Sequence, residues 1–240
     1  MDYQEALHKG VALKNQEHYA EAVEAFDVAI AIDSHKPEAY FYRANILSHS
    51  LHRYEQALAD YNQAIVLNGK DEFYYYNRAL CQLNLGDEEA ALADYDRALA
   101  INPDYALAIW DKALLDSARE NYDQALAGLE EVLRLSPYSA AIIYKDKGNI
   151  YYQLEQYEEA LANFNQSLAL DSYYTYAYKG RSLVYQALKR YHEALADLDK
   201  ALAIDPNDAD SYRKRSRIYQ KIGNTQAAEA DLAQAKALQK

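Results

Sequence analysis

The chain has 240 residues, a formal net charge of -12 and a single cysteine, Cys81. One cysteine excludes an internal disulfide, no stretch approaches the roughly 20 apolar residues of a membrane-spanning helix, and the acidic balance argues against nucleic acid as the main partner. Leu, Ala and Tyr dominate while Gly and Pro are scarce, so helices are favoured throughout and no segment reads as a flexible linker.

In chain order, one block keeps returning. Tyr19, Ala22, Phe26 and Ala29 recur as Tyr54, Ala57, Tyr61 and Ala64, then as Glu88, Ala91, Tyr95 and Ala98. Four more copies follow, from Tyr122, Tyr157, Tyr191 and Thr225. Self-similarity at this period predicts seven stacked units in one array over residues 1–240, at about 3–36, 37–71, 72–105, 106–140, 141–174, 175–208 and 209–240. Apolar residues at spacings of three and four split each unit into two helices. In the third unit the first helix runs from about Glu72 to Leu85, Gly86-Asp87 makes the turn, and the second helix ends where Asn102-Pro103 disfavours further helix. Small residues hold one site of every first helix: Gly10, Ala44, Ala79, Ala113, Gly148, Ser182 and Ser216. With the first shared Ala of the second helix facing them, they let the two helices approach closely.

These residues resemble the tetratricopeptide repeat, whose 34-residue pattern places W, L-G and Y on one helix, A and F on the next, and P after it. The fifth unit shows the order in Tyr144, Gly148, Tyr151, Tyr157, Ala160 and Phe164. The resemblance implies an all-α, right-handed superhelical α-solenoid of antiparallel helix pairs. Two irregularities are expected: an extra residue in the inter-helix turn near His49-Ser50-Leu51-His52, and another around Tyr138-Ser139-Ala140. Asp116 and Arg119 take positions where the pattern asks for apolar residues, which predicts a weakly packed helix over 106–119.

No catalytic motif is present, and the paired acids Glu88-Glu89, Glu130-Glu131 and Glu158-Glu159 fall on amphipathic helices where acids face water. The chain therefore reads as a non-enzyme without cofactors. His49 and His52 have the spacing of a metal clip but lack further ligands, and Cys81 on an apolar face reads as a buried thiol. Met1 to Glu5 carry neither a basic segment nor an apolar run, so no signal peptide is expected and the expected location is cytoplasmic.

The resemblance further implies a concave surface lined by the first helices, where peptides bind. Its fifth position reads Leu7, Phe41, Tyr76, Trp110, Lys145, Lys179 and Arg213, passing from apolar and aromatic to basic. Asn45, Phe73 and Asn77, with Tyr42 and Leu107, extend the early side; Asn149, Lys214 and Arg217 extend the later one. Asparagine amides can bond a peptide backbone, and Lys and Arg select carboxylates. The expected partner is a protein or peptide with apolar or aromatic anchors and with acidic residues or a free C-terminal carboxylate. Some family members hold chaperone tails in a two-carboxylate clamp. Lys145 and Asn149 match its first part, but Gly180, Asp210 and Lys214 depart from the rest, so a co-chaperone role is disfavoured. The alternative is a structural or self-assembling solenoid, with the polar, Ala-rich helix Thr225 to Lys240 as a modest cap that favours a monomer or weak homo-oligomer. Residues 209–240 carry seven Lys or Arg against three acids, a balance of +4 that leaves -16 on the remainder and weakens a third reading, nucleic-acid binding through the last unit.

Overall fold

The computed structural model describes residues 1–238; the end of the seventh unit, Gln239 and Lys240, lies outside them. Fourteen α-helices follow one another among the described residues. They pair as α1 (Tyr3–Asn15) with α2 (Tyr19–Ile32), α3 (Pro37–Asn45) with α4 (Tyr54–Leu67), α5 (Glu72–Asn84) with α6 (Glu88–Ile101), and α7 (Ala106–Ala118) with α8 (Tyr122–Leu135) in sequence. The last three pairs are α9 (Ala140–Gln153) and α10 (Tyr157–Leu170), α11 (Thr175–Ala187) and α12 (Tyr191–Ile204), and α13 (Ala209–Lys221) and α14 (Thr225–Ala237). Contacts divide the chain into two compact bodies, Met1–Leu115 and Asp116–Lys240, the division falling inside α7 at Asp116.

From α1 to α6 in the first body, and from α8 to α14 in the second, each helix packs on its neighbours in the chain. The core is a row of rings and alanines from the second helices. Phe26, Tyr61 and Tyr95 are fully shielded in the first body, and Phe164 is 1% exposed in the second. Each such ring stabilises its layer by about 2–3 kcal/mol of burial. The small site of the first helix is what admits the ring. A methyl group built on Gly10 would lie 2.5 Å from the Phe26 ring, and Phe164 is held between Gly148 and Gly180, where added methyls would lie 3.0 and 2.4 Å away. In the first and fifth repeats the small site thus meets the ring directly, with Ala22 and Ala160 in the same cores. Cys81 is buried beneath Tyr61, donates its thiol to the Tyr54 carbonyl at 3.2 Å, and is pushed up in pKa by that burial.

The turns are made locally. Gly86 and Gly223 take φ near +80°, while Glu17, His52, Glu120, Glu155 and Lys189 hold the same left-handed position in other repeats. The extra residue of the second repeat is absorbed at the end of α3, in a turn that overlaps the expected segment at His49 and Ser50. Ile46–Ser50 forms a wide helical turn at the end of α3, closed by the Leu51 amide on the Ile46 carbonyl at 3.0 Å. A five-residue hydrogen-bonded turn accommodates one more residue than an α-turn without losing a bond. The irregularity before α9 is a short 3₁₀ turn, Pro137–Ser139. Asp116 is buried, its side chain accepting from Asn121 Nδ2 at 3.4 Å, and Arg119 points to solvent.

Candidate functional site

In the first body, successive first helices touch through ring and carboxylate side chains. The Tyr3 hydroxyl donates to Glu38 at 3.3 Å, and the Phe41 ring lies 4.8 Å from that of Tyr74. The Tyr76 hydroxyl donates to Asp111 at 2.8 Å. Tyr105 joins this row, 5.4 Å from Phe73 and 5.0 Å from Tyr76 between ring centres. Burial pushes the Asp111 carboxyl above its usual range, which the Tyr76 hydrogen bond only partly offsets. Burial and neighbouring carboxylates push the Tyr105 phenol up to about 12.

Several of the sequence-selected residues of this body lie close to one another, in two separate pockets. Phe41, Tyr42 and Phe73 line one pocket of about 300 Å³ with Glu38, Asp71 and Tyr74. Asn45 and Asn77 share a second pocket of about 300 Å³ with Lys14 and His49. Each amide is partly engaged: Asn45 Oδ1 accepts from the Tyr61 hydroxyl at 2.7 Å, and Asn77 Nδ2 donates to the Phe73 carbonyl at 2.8 Å. Trp110 is half-buried on α7, next to Asp111. Phe73 is 48% exposed and Leu107 50%.

In the second body the basic residues differ in how far they are already paired. Lys145 binds Asp146, and Lys214 binds Asp210 one helical turn before it. Lys179 lies 2.9 Å from Asp208 and 3.8 Å from Asp210, with its ammonium 4.5 Å over the Tyr176 ring. Arg213 and Arg217 form no ion pair among the described residues, and Asn149 is exposed. The cationic series read from the sequence is present, but its lysines face carboxylates of the chain itself. Gly180, which breaks the clamp pattern, has a packing reason in the Phe164 ring.

An unanticipated feature is a repeated arginine bridge. Arg43, Arg78, Arg181 and Arg215 each place Nε and Nη2 on both oxygens of one carboxylate, Asp60, Asp94, Asp197 and Asp231 respectively, at 2.6 to 2.8 Å. The remaining Nη1 reaches the preceding repeat at Asp27, Asn62, Asn165 or Asp199. Each guanidinium also lies 5.4 to 5.8 Å from the ring of the tyrosine three residues before it. One side chain thereby ties three helices, so these cations belong to the scaffold. The sequence carried the signal: where the first helix has Arg, the residue before the repeated core position of the second helix is Asp, but beside Lys9, Lys112 and Lys147 it is Ala25, Gly128 and Asn163.

Among the described residues no cluster of three or more His, Cys, Asp or Glu could hold a metal ion. His49 Nδ1 lies 3.0 Å from the Asn45 carbonyl and His52 Nδ1 3.0 Å from the Tyr54 hydroxyl, so the two histidines face different partners. No helix among the described residues is long and apolar enough to cross a membrane.

No curated protein matches the chain. Among solved structures, a tetratricopeptide repeat protein from Parabacteroides merdae is 22% identical, covers 98% of this chain and 93% of its own, and superposes with a TM-score of 0.82. YrrB, described as a TPR protein with an unusual peptide-binding site, is 23% identical over 79% of this chain and 96% of its own, with a TM-score of 0.63. PilW, a type IV pilus biogenesis factor, is 23% identical over 84% and 92%, with a TM-score of 0.74. These likenesses are of fold: antiparallel helix pairs stacked as in a tetratricopeptide solenoid. Tetratricopeptide repeat family models match residues 7–71, 73–105 and 104–172, and a TPR repeat model matches 183–223. Proteins of this kind typically mediate protein–protein interactions and are usually non-catalytic. The chain belongs to the tetratricopeptide repeat family.

Proposed function

We propose that the chain is a non-enzymatic adaptor that binds a peptide or protein segment along the first helices of its repeats. The observation that carries this reading is a contrast between rings. Phe26, Tyr61 and Tyr95 on the second helices are fully buried, whereas Phe41, Phe73 and Tyr76 on the first helices keep solvent-facing surface, two of them around a pocket. Phe41 and Tyr76 pack against the core with one side, and the ring surface left open on them and on Phe73 offers anchors for a partner. The peptide-binding site described for YrrB, a protein of like fold, adds support.

In the second body, Arg213 and Arg217 are the groups offered to acidic residues or a C-terminal carboxylate, since Lys145, Lys179 and Lys214 already have anionic neighbours. Asn149 is placed to bond a peptide backbone. The test is a peptide-display selection against the full chain and against an Arg213→Glu, Arg217→Glu variant of unchanged helicity. Wild type should enrich peptides with aromatic or aliphatic anchors, and the variant should lose the acidic ones. Peptides enriched equally by both would remove the arginines from the site; enrichment of nothing by wild type would overturn peptide binding itself.

A further inference from the structure

Two of the repeat junctions carry an aspartate immediately before the first helix. Asp71 caps α5, accepting from the Phe73 amide at 2.9 Å, and Asp208 caps α13, accepting from the Asp210 amide at 3.0 Å. The two positions are equivalent in the repeat, and so are the residues around them. Glu38 corresponds to Tyr176, Phe41 to Lys179, Phe73 to Asp210 and Tyr74 to Ser211.

At the later junction the chain supplies its own cation. The Lys179 ammonium sits 2.9 Å from Asp208 and 4.5 Å over the Tyr176 ring, so carboxylate and aromatic face act on it together. At the earlier junction the lysine is replaced by Phe41, and a pocket of about 300 Å³ opens there. Its walls are the Phe41, Tyr42, Phe73 and Tyr74 rings with the carboxylates of Glu38 and Asp71, and no Lys or Arg lines it. Neither carboxylate forms an ion pair among the described residues; Glu38 accepts one hydrogen bond, from the Tyr3 hydroxyl. The Tyr74 phenol, 5% exposed, is raised in pKa by burial and by Asp71 and Glu38, so the charges that reach it are negative.

We propose that the pocket between α3 and α5 receives a lysine or arginine side chain of a bound peptide, its charge set against Asp71 and Glu38 and its stem against the Phe41 and Phe73 rings. This rests on the peptide-binding reading and makes it specific: the anchor taken by the second and third repeats is cationic, where the sequence alone suggested an apolar one. The geometry at Lys179, Asp208 and Tyr176 shows the same repeat position holding an ammonium. The half-buried Asp71 carboxylate has no cation of the chain and gains from one, Glu38 adds its charge at the exposed rim, and the rings add apolar contact along the aliphatic stem.

The test uses the full chain and the display selection already described, followed by synthetic versions of the selected peptide with its recurrent basic residue replaced by citrulline or norleucine. Asparagine caps a helix as well as aspartate, so an Asp71→Asn, Glu38→Gln variant removes the charge without removing the cap. The expected result is a Lys or Arg at one fixed place in the selected peptides. Citrulline should weaken binding to wild type about tenfold or more and binding to the variant far less. A Phe41→Lys variant, which sets a lysine against Asp71 as Lys179 is set against Asp208, should lose the preference for basic peptides. Selected peptides without a recurrent basic residue, or equal affinity for arginine and citrulline, would overturn the cationic anchor while leaving peptide binding in place. A wild-type selection that yields nothing would overturn both.

Discussion

Arg78 and Asp94 meet edge to edge, Nε and Nη2 donating at 2.7 and 2.6 Å to the two carboxylate oxygens, while Nη1 crosses to Asn62 of the preceding repeat at 2.6 Å. The Asp94 side chain is 4% exposed and that of Arg78 19%, so both lie largely out of water. Truncating one partner leaves the other desolvated and unpaired, at a cost of about 3 kcal/mol, whereas replacing both by apolar residues is often near neutral. Asp94→Ala should therefore lower stability by about that amount, and Arg78→Met with Asp94→Leu by much less. Denaturant unfolding of the single and double variants measures both. Equal losses in the two would mean that the planar pairing contributes little beyond packing.

The core rings, the small sites, the Gly86-Asp87 turn and the Asn102-Pro103 stop were legible because each is set by residues close in sequence, within a block that returns seven times. The arginine bridges were legible in principle, since Arg43, Arg78, Arg181 and Arg215 each have an aspartate 16 or 17 residues later. What hid them was treating helix-surface acids as solvated. Side-chain neutralisation was less accessible. Lys179 and Asp208 are 29 residues apart and meet only when the first helices of adjacent repeats are laid side by side. For the same reason the Phe41, Glu38 and Asp71 pocket could not be read as acidic from a list of groove positions, because Asp71 lies just before its helix and outside those positions.

Gly180 gives a test of packing against function. The clamp reading made it a missing asparagine, but a methyl group there would lie 2.4 Å from the Phe164 ring, which is already against Gly148. Gly180→Ala should destabilise the chain by about 1–3 kcal/mol, even though alanine favours helix over glycine by about 1 kcal/mol. Thermal or denaturant unfolding should show the loss. Gly180→Ala combined with Phe164→Leu should recover part of it by making room. A stabilised single variant would mean that the ring shifts freely and the contact is not limiting.

The two capping aspartates should respond to pH with opposite signs. Burial alone would raise Asp208, but hydrogen bonds from Lys179 and Ser211, the Lys179 charge and the Asp210 amide hold it below the usual carboxylate range. Because its folded-state pKa is below the unfolded one, its stabilisation is complete above about pH 4 and fades as pH falls through the depressed value. Asp71 is raised by burial and by Glu72, with the Phe73 and Tyr74 amides offsetting only part of this. Its charged form therefore costs stability above its folded pKa, and the cost disappears as pH falls through that value. Asparagine keeps either cap, so Asp208→Asn should destabilise at pH 7 and approach wild type in acid. Asp71→Asn should be neutral or stabilising at pH 7, with its difference from wild type also shrinking in acid. Stability measured against pH for both variants decides this: a destabilising Asp71→Asn at pH 7 would show that a cation of the chain reaches Asp71, as Lys179 reaches Asp208, and would remove the reason for a partner to bring one.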